Sequence, residues 1–273
     1  MIGLVTDSNA QLPPLLRDRY GIKVVPLTIV IDGTAYLEGV DLDTTDFLVR
    51  MRSGAKLSTA APSPGQFVQA YSELAASGVE RILSVHVGSQ LSGTLAAARL
   101  GAASSPVPVE LVDTGTASFA AGCCVWAAAE ALRSGAGIEE GAAAAHRAAA
   151  RIGNIFIVSS LDLARQGGRL AAGADSERIP VMALEGNQLQ VVSEVSDHRA
   201  AVAVMSTFLD GWVRPGERLR VGVGDTDNAE LADRLLGQME ERSTVVEAVR
   251  YSVGPSVAVH TGPGTVGAVW TVI

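Results

Sequence analysis

The sequence predicts an α/β protein built from two domains. Strand-like and helix-like patterns alternate up to about residue 153, which favours a mostly parallel sheet with helices on both faces. Beyond that point strands outnumber helices and hairpin signals recur, which favours a mixed or antiparallel sheet with helices. The 273 residues are enough for one large or two medium domains. We therefore expect an N-terminal domain at 1–153 and a C-terminal domain at 154–273.

Composition and charge restrict the possible functions. Hydrophobic residues make up 48% of the chain and charged residues 18%, which is typical of a globular protein. A net charge of −8 argues against a nucleic-acid partner, because a phosphate backbone requires a basic face. The longest apolar run, 117–129, is shorter than the ~20 residues of a transmembrane helix. The first residues lack the pattern of a signal peptide, so we expect a cytoplasmic protein with no integral membrane segment.

Strands and helices are predicted to alternate in the first half. Branched apolar runs predict strands at Ile2–Thr6, Val24–Ile31, Thr34–Leu37, Arg81–Val87 and Val107–Val112. Capped amphipathic runs predict helices near Pro13, at 43–51, at Gly65–Ala76, from Ser92 onward, at Ser118–Leu132 and at Ile138–Arg151. Asp32-Gly33 predicts a hairpin turn, and two closely spaced prolines predict that Ser58–Pro64 is a loop.

The second half is predicted to contain more strands than helices. Apolar runs predict strands at Ile155–Ser159, Pro180–Leu184, Leu189–Glu194, Leu219–Val223, Val245–Tyr251, Ser256–His260 and Thr265–Val272. Helices are predicted at Leu161–Gln166, His198–Trp212 and Ala229–Arg242, the first of them stopped by Gly167-Gly168. Glu185-Gly186-Asn187 predicts a hairpin-like turn.

The stretch Ser84–Leu100 joins a buried strand to a helix through the turn Gly88-Ser89-Gln90. Free backbone N–H groups at the helix start, the helix dipole and nearby hydroxyl groups favour an anion there. These hydroxyl groups belong to Ser89, Ser92 and Thr94. The alternative is that Ser92 caps the helix and does nothing else. The residues of this stretch alone are compatible with both interpretations.

Polar loops follow three of the predicted strands. The strands ending at Thr6, Val87 and Val112 each run into a loop rich in Asp, Ser, Thr or Gly. In an open α/β sheet, a ligand lies beyond the carboxyl ends of the strands. The sequence therefore predicts one polar crevice at that edge of the N-terminal sheet.

The familiar motifs for metals, nucleotides and nucleophilic serines are missing, so we expect no metal, no cofactor and no catalytic activity. The adjacent Cys123 and Cys124 lie in an apolar helical run and point about 100° apart, which indicates core residues rather than a disulfide. A serine and a histidine such as Ser92 and His260 are typical of hydrolases, but no Asp spacing supplies the acidic third member.

Five segments rich in polar residues, glycine or proline occur in order along the chain: VTDSNAQLP at 5–13, STAAPSP at 58–64, LSGT at 91–94, LDLARQGGRL at 161–170 and HTGPGTVG at 260–267. Taken together, they resemble the motifs of the DegV family of bacterial proteins. STAAPSP resembles the family's TSQPSP loop, and LSGT matches its SGT segment. The other three resemble the family's opening motif, its Leu-to-Gly-Gly-Arg motif and its closing motif.

The resemblance implies two α/β domains with a fatty acid held between them. Family members with an assigned role are non-catalytic, fatty-acid-binding subunits of bacterial fatty acid kinase. They present the long-chain acyl carboxylate to a separate, ATP-binding kinase subunit, which phosphorylates it, and the acyl phosphate enters phospholipid synthesis. We therefore expect this chain to bind a fatty acid and to serve such a kinase.

The resemblance also assigns residues. By position, the fatty-acid carboxylate is expected to contact Thr59, Ser92 and His260, and the kinase is expected to dock at Arg169. The supporting loop residues are Ser58, Gly93 and Thr94. Two departures are present. Ala60 and Ala61 replace the Ser-Gln of the family loop, and LAAGA follows Arg169 where the family carries a basic residue.

Two other functions are considered as alternatives to the kinase-linked function. The first is a stand-alone acyl hydrolase or transferase that uses Ser92 and His260, against which the missing acidic residue argues. The second is a lipid sensor or buffer that serves no kinase.

Overall fold

The computed structural model describes residues 1–158, 178–185 and 188–273 of the chain. They form two compact units, Met1–Arg151 (unit 1) and Ile152–Ile273 (unit 2), each described by itself. Both units combine helices with sheets, so the predicted α/β class is confirmed.

Unit 1 begins with the strand β1 (Ile2–Asp7), which a short 3-10 helix follows at Ser8–Ala10. The remaining strands are β2 Lys23–Val25, β3 Thr28–Ile31, β4 Thr34–Leu37, β5 Leu57–Ala60, β6 Arg81–His86 and β7 Val109–Asp113. The helices are α1 Pro14–Tyr20, α2 Thr44–Arg52, α3 Pro64–Ala76, α4 Thr94–Ala102, α5 Phe119–Arg133 and α6 Ile138–Ala149.

The larger sheet of unit 1 is parallel and has helices on both faces, as predicted. Its strand order is β2-β1-β6-β7, and every neighbouring pair is parallel. Successive side chains of a strand point to opposite faces. In β6, Ile82 packs in a cluster with Phe67 of α3, whereas Leu83 faces α6, where a Cβ on Gly141 would lie 3.1 Å from it. Alternate residues of one strand therefore pack against helices on the two opposite faces of the sheet.

The predicted strand Val24–Ile31 is wrong as a single element, because it divides into β2 and β3. Pro26 has no N–H to donate, and the N–H of Leu27 donates to the side chain of Ser8 at 2.9 Å. The ladder is interrupted at these two residues. As a result β2 joins the parallel sheet, whereas β3 joins a separate antiparallel sheet of order β4-β3-β5.

The hairpin at Asp32-Gly33 is confirmed, and the loop predicted at Ser58–Pro64 is only partly correct. Asp32 and Gly33 have φ values of 50° and 84°, as the favoured two-residue hairpin turn requires. Ser58–Ala60 belong to β5 and pair with β3, so the loop is shorter than predicted. The prolines restrict only their own neighbourhood, where Pro64 is the first residue of α3 and Ser63 caps it.

Unit 2 contains a mixed sheet, which confirms the prediction for the second half. The elements are β8 Ile152–Ile157, β9 Ile179–Glu185, β10 Gln188–Val195, α7 His198–Trp212, β11 Leu219–Asp225, α8 Ala229–Glu240, β12 Val245–Ser252, α9 Pro255–Thr261 and β13 Val266–Val272. The strand order is β10-β9-β8-β13-β11-β12, and among these described strands only β11 and β12 are parallel neighbours. Helices α7 and α8 pack on this sheet around a core that includes Met205, Leu235 and Trp270.

The strand predicted at Ser256–His260 is wrong, because these residues belong to the helix α9. Alternating valines imitate a strand there, but Pro255 sits at the first helical position, where its fixed φ suits a helix. His260 therefore lies in the last turn of a helix rather than at the end of a strand. The helix predicted at 161–166, its stop at 167–168 and the turn residues 186–187 lie outside the described residues.

Candidate functional site

The carboxyl ends of β1, β6 and β7 lie side by side in unit 1, and their polar loops are joined by hydrogen bonds. Thr114, after β7, donates its hydroxyl to the carbonyl of His86 at the end of β6 at 2.8 Å. The N–H of Ser118, whose φ is 58°, donates to Oδ1 of Asn9 after β1 at 2.9 Å. The three polar loops that the sequence predicts to share one crevice are thus neighbours in the structure.

The turn after β6 is held tightly against the loop after β7. A Cβ on Gly88 would lie 2.7 Å from the carbonyl carbon of Gly115, a separation that side chains do not tolerate. Oγ of Ser89 donates to Asp113 at 2.5 Å. Burial alone raises the pKa of Asp113, but the hydrogen bonds from Ser89 and Gly115 outweigh burial and leave the pKa below its ordinary value. The hydroxyl of Ser89 is therefore engaged by a carboxylate instead of facing a ligand.

The helix predicted from Ser92 begins at Thr94, with Gly93 as its N-cap. The half-buried Ser92 Oγ accepts the N–H of Thr94 at 3.2 Å and lies 2.8 Å from Oγ1 of the fully buried Thr94. When Thr94 donates to Ser92, the hydrogen of Ser92 is left to donate to a further acceptor. The geometry is therefore compatible with both interpretations of Ser92, as a helix-start residue and as an anion ligand.

Thr59 lies close to this helix start within unit 1. It pairs with Ile29 in β5 and is half-buried, whereas the neighbouring Ser58 is exposed. A Cβ on Gly93 would lie 3.7 Å from the Cβ of Ala61, so the segment that follows Thr59 contacts the turn that carries Ser92. Because adjacent residues of a strand point to opposite faces, Ser58 and Thr59 do not present their hydroxyl groups together.

His260 belongs to unit 2, where it is exposed near the end of α9. The glycine-rich turn after it is fixed by the loop after β11. The N–H of Gly264 donates to Asp227 at 2.5 Å, and the N–H of Thr265 donates to Oγ1 of Thr226 at 3.1 Å. The hydroxyl of Thr265 in turn donates to the carbonyl of Thr261, the last residue of α9, at 3.1 Å. These bonds hold the end of α9 in place within unit 2. Arg169 lies outside the described residues.

Sequence reasoning missed a buried chain of hydrogen bonds beneath the strand ends. The hydroxyl groups of Tyr71 and Ser84 lie 3.0 Å apart, and Oγ of Ser84 lies 2.7 Å from Nε2 of His86. Nδ1 of His86 lies 2.9 Å from Oδ2 of Asp7. The spacing Ser84-x-His86 on one strand face was a readable signal, but nothing local indicates that Asp7 joins it.

The order of these bonds is that of a catalytic Ser-His-Asp triad, but the complete burial of the side chains excludes a catalytic role in this structure. The side chains of Tyr71, Ser84, His86 and Asp7 are all 0% exposed. A nucleophilic serine must reach a substrate carbonyl, and Ser84 instead contacts a buried tyrosine. The chain of bonds is therefore part of the internal support of the strand ends.

The described residues contain no group of three or more His, Cys, Asp or Glu side chains that suits a metal ion. Within that same part of the chain, no helix combines the length and apolarity that a bilayer crossing needs. Cys123 and Cys124 are buried in α5, and burial raises the pKa of the Cys124 thiol to about 12. A thiol that stays protonated is a poor nucleophile and a poor metal ligand.

A parallel sheet with hydroxyl-rich strand ends, followed by a mixed sheet, defines a two-unit α/β protein with a candidate anion-binding site. A family model described as "Uncharacterised protein, DegV family" matches residues 1–272. The chain therefore belongs to the DegV family, as its motifs predict.

Relatives of known sequence match along nearly the whole chain. A DegV domain-containing protein of Streptomyces coelicolor is 33% identical over 274 residues, which cover 98% of this chain and 97% of that protein. A DegV domain-containing protein of Mycobacterium tuberculosis is 32% identical over 272 residues, covering 97% and 95% of the two chains.

Solved structures of the family share the fold. A DegV family protein from Thermus thermophilus, described as fatty acid binding, matches with a TM-score of 0.89 and 30% identity over 100% of this chain and 99% of that chain. A DegV lipid binding protein from Thermotoga maritima matches with a TM-score of 0.88 and 28% identity over 100% and 98% of the two chains.

Proposed function

We propose that this protein binds one long-chain fatty acid and holds its carboxylate with Thr59, Ser92 and His260. The observation that carries the proposal is the contact between the Thr59 segment and the helix start at Ser92 in unit 1. Ser58, Gly93 and Thr94 are proposed to support the site. The fatty-acid-binding descriptions of the Thermus and Thermotoga structures support the choice of ligand.

The chemistry of the helix start suits a carboxylate. The first N–H groups of α4 have no partner within the helix, and the helix dipole favours a negative charge beside them. Ser92 accepts one of these N–H groups, and its own hydrogen is available to a ligand when the hydroxyl of Thr94 donates to it. A protonated His260 would add a charge-assisted hydrogen bond. The departures at Ala60 and Ala61 remove two polar side chains, so Thr59 and Ser92 carry more of the recognition in this chain.

The acyl tail is proposed to supply most of the affinity. Each buried CH₂ group contributes about 0.8 kcal/mol, so partial burial of a long chain outweighs any single headgroup contact. The loss of one headgroup hydrogen bond is therefore expected to weaken binding without abolishing it. Quantitative titration is therefore needed to detect the contribution of a single headgroup hydrogen bond beside that of the buried tail.

Mass spectrometry and titration test the ligand. Native mass spectrometry of the purified protein is expected to show an added mass equal to one long-chain fatty acid. After delipidation, labelled acyl chains are expected to saturate a single site. Ser92→Ala is expected to weaken this binding, and Ser89→Ala is the matched control, since its hydroxyl is held by Asp113. Absence of saturable binding at every chain length would contradict the proposal.

We further propose that the bound carboxylate is presented to a separate, ATP-binding fatty acid kinase subunit, with Arg169 at the docking surface. The protein would then be a cytoplasmic, non-catalytic subunit that feeds acyl phosphate to phospholipid synthesis. Support for this step comes from the family resemblance alone. ATP-dependent formation of acyl phosphate by a kinase subunit, measured with and without this protein, tests it. Arg169→Ala is expected to weaken the stimulation while leaving acyl binding intact.

The same preparations separate the alternatives. A stand-alone hydrolase or transferase predicts turnover of an acyl ester that disappears in Ser92→Ala. A lipid sensor or buffer predicts saturable acyl binding with no stimulation of any kinase subunit. Binding together with kinase stimulation, and without ester turnover, is the result that the proposed function requires.

A further inference from the structure

The buried chain of hydrogen bonds has a defined direction. Burial raises the pKa of the Tyr71 phenol to about 12, so the phenol is protonated. Its hydroxyl bonds only Ser84 among the described residues, so it donates to Ser84 Oγ. Ser84 then donates to Nε2 of His86, which leaves Nδ1 of His86 to carry the hydrogen that is donated to Asp7. In this arrangement the chain of donors ends on the carboxyl group of Asp7.

Asp7 gathers three donors from two neighbouring strand ends. Oδ2 accepts Nδ1–H of His86 at 2.9 Å and the N–H of Val87 at 3.1 Å. Oδ1 accepts the N–H of Asn9 at 3.1 Å. A fully buried carboxylate is tolerated only when such donors satisfy it, so displacement of either strand end is costly. The pair Asp7–His86 therefore fixes the end of β1 relative to the end of β6.

One branch from this pair leads to Ser92. Val87, whose N–H is held by Asp7, is followed by Gly88, whose N–H donates to the carbonyl of Thr116 at 2.8 Å. The carbonyl of Gly88 in turn accepts the N–H groups of Leu91 at 2.9 Å and Ser92 at 3.1 Å. The position of the Ser92 hydroxyl is thus set by the end of β6.

The other branch leads to Thr59. Ser8 follows Asp7 directly, and its Oγ accepts the N–H of Leu27 at 2.9 Å while donating to Glu38 at 2.5 Å. Leu27 immediately precedes β3, whose Ile29 pairs with Thr59 in β5. The position of Thr59 is thus set by the end of β1.

The two branches meet again where Ala61 contacts Gly93. We propose that Asp7 and His86 are positioning residues that hold Thr59 and Ser92 in register as one carboxylate-binding site, an inference that rests on the proposed function. Neither residue touches the ligand in this arrangement. They act by fixing two strand ends from which the two ligand-binding segments are built.

Substitutions at His86 test the positioning role. His86→Phe keeps a planar ring but loses both hydrogen bonds, and it is expected to weaken acyl binding about tenfold. His86→Asn carries an N–H near the place of Nδ1–H and is expected to restore most of the affinity. Ile82→Ala is the control for a general loss of stability, because Ile82 lies on the same strand but outside the chain of hydrogen bonds. It is expected to leave the dissociation constant within about twofold of the value for the parent protein.

A double-mutant cycle separates positioning from a purely structural role. If His86 acts through Ser92, His86→Phe has a smaller effect in a Ser92→Ala background than in the parent. A purely structural role predicts a lower melting temperature for His86→Phe with an unchanged dissociation constant for the folded protein, and that result would overturn the inference. If His86→Phe does not fold, His86→Gln, which is designed to keep the bond to Ser84 and lose the bond to Asp7, is subjected to the same cycle.

The outcomes also separate this inference from the proposed function. If the parent protein binds no labelled fatty acid, both are overturned. If the parent binds, Ser92→Ala weakens binding and His86→Phe does not, only the positioning role fails. Weakened binding in His86→Phe, rescue by His86→Asn and non-additivity with Ser92→Ala together support the inference.

Discussion

Two polar regions of unit 1 lie a few residues apart and differ in how their hydrogen bonds are used. At the end of β6, Ser84 and His86 are fully buried, and each side chain bonds two partners. At the start of α4, Ser92 is half-buried, and its side chain bonds only Thr94 among the described residues. The difference teaches that residue type alone does not assign a role. A polar side chain is a candidate for ligand binding when it lies at an accessible position and still has hydrogen-bonding capacity to offer.

The largest effect is expected from Asp7→Ala. The substitution leaves the buried donors of His86, Val87 and Asn9 without their acceptor, so the free energy of unfolding should fall by about 3–5 kcal/mol. Asp113→Ala is the matched variant at the neighbouring strand end, where the carboxylate is only partly buried, and it should cost less than about 1 kcal/mol. Urea unfolding measures both, and equal losses would contradict the comparison.

His260→Ala is expected to affect binding rather than stability. If the imidazole is charged in the complex, its removal weakens fatty-acid binding by about 1.5–3 kcal/mol. Because His260 is exposed on a short helix, the melting temperature should change little. Acyl titration and thermal unfolding of the same variant provide the check. A lower melting temperature with unchanged affinity would assign His260 a structural role.

Gly88→Ala connects the two regions. The added Cβ meets the backbone of Gly115, so the turn between His86 and Ser92 must shift, at a cost of about 1–3 kcal/mol in the free energy of unfolding. The shift should also weaken acyl binding, because the carbonyl of Gly88 positions Ser92. Gly237→Ala, where nothing lies within 4 Å of the added Cβ, is the control. Unchanged binding in Gly88→Ala would contradict the link.

Ser92→Ala removes one donor from the proposed carboxylate site and leaves the backbone N–H groups of α4 in place. Fatty-acid affinity should therefore fall by about 1 kcal/mol. Thermal unfolding of the same variant should change little, since Gly93 rather than Ser92 is the N-cap. If stability falls while affinity is unchanged, Ser92 serves the helix alone.

The smallest effect is expected from Ser89→Ala, in the pH dependence of the free energy of unfolding. The pKa of Asp113 lies below its ordinary value, so its ionised form stabilises the fold above that ordinary value, and this contribution is lost as the pH falls through the lowered pKa. Ser89→Ala should raise the pKa of Asp113 and shrink that contribution. Unfolding free energies of parent and variant should therefore differ at neutral pH and converge once the pH has fallen below the lowered pKa of Asp113. A difference that is constant with pH would contradict the role of Ser89.

Local signals in the sequence predicted several features correctly. The strand at Ile2–Thr6, the hairpin at Asp32-Gly33 and the helix at His198–Trp212 follow from periodicity and turn chemistry, which involve only near neighbours. The same signals failed at Ser256–His260, where a proline at the helix start outweighed an alternating pattern. They also failed at Pro26-Leu27, where a side chain from a distant segment interrupts the strand.

The sequence by itself determined the α/β class, the parallel first sheet and the hydroxyl-rich strand ends, because local periodicity identifies strands, helices and turns, and the alternation of strands with helices favours a parallel sheet. Only the tertiary structure decided that Asp7 bonds His86, 79 positions along the chain, and that the Thr59 segment contacts the helix start at Ser92. Such contacts depend on which strands pair and in which register. Pairing is settled by burial of whole faces, so no local pattern of residues encodes it.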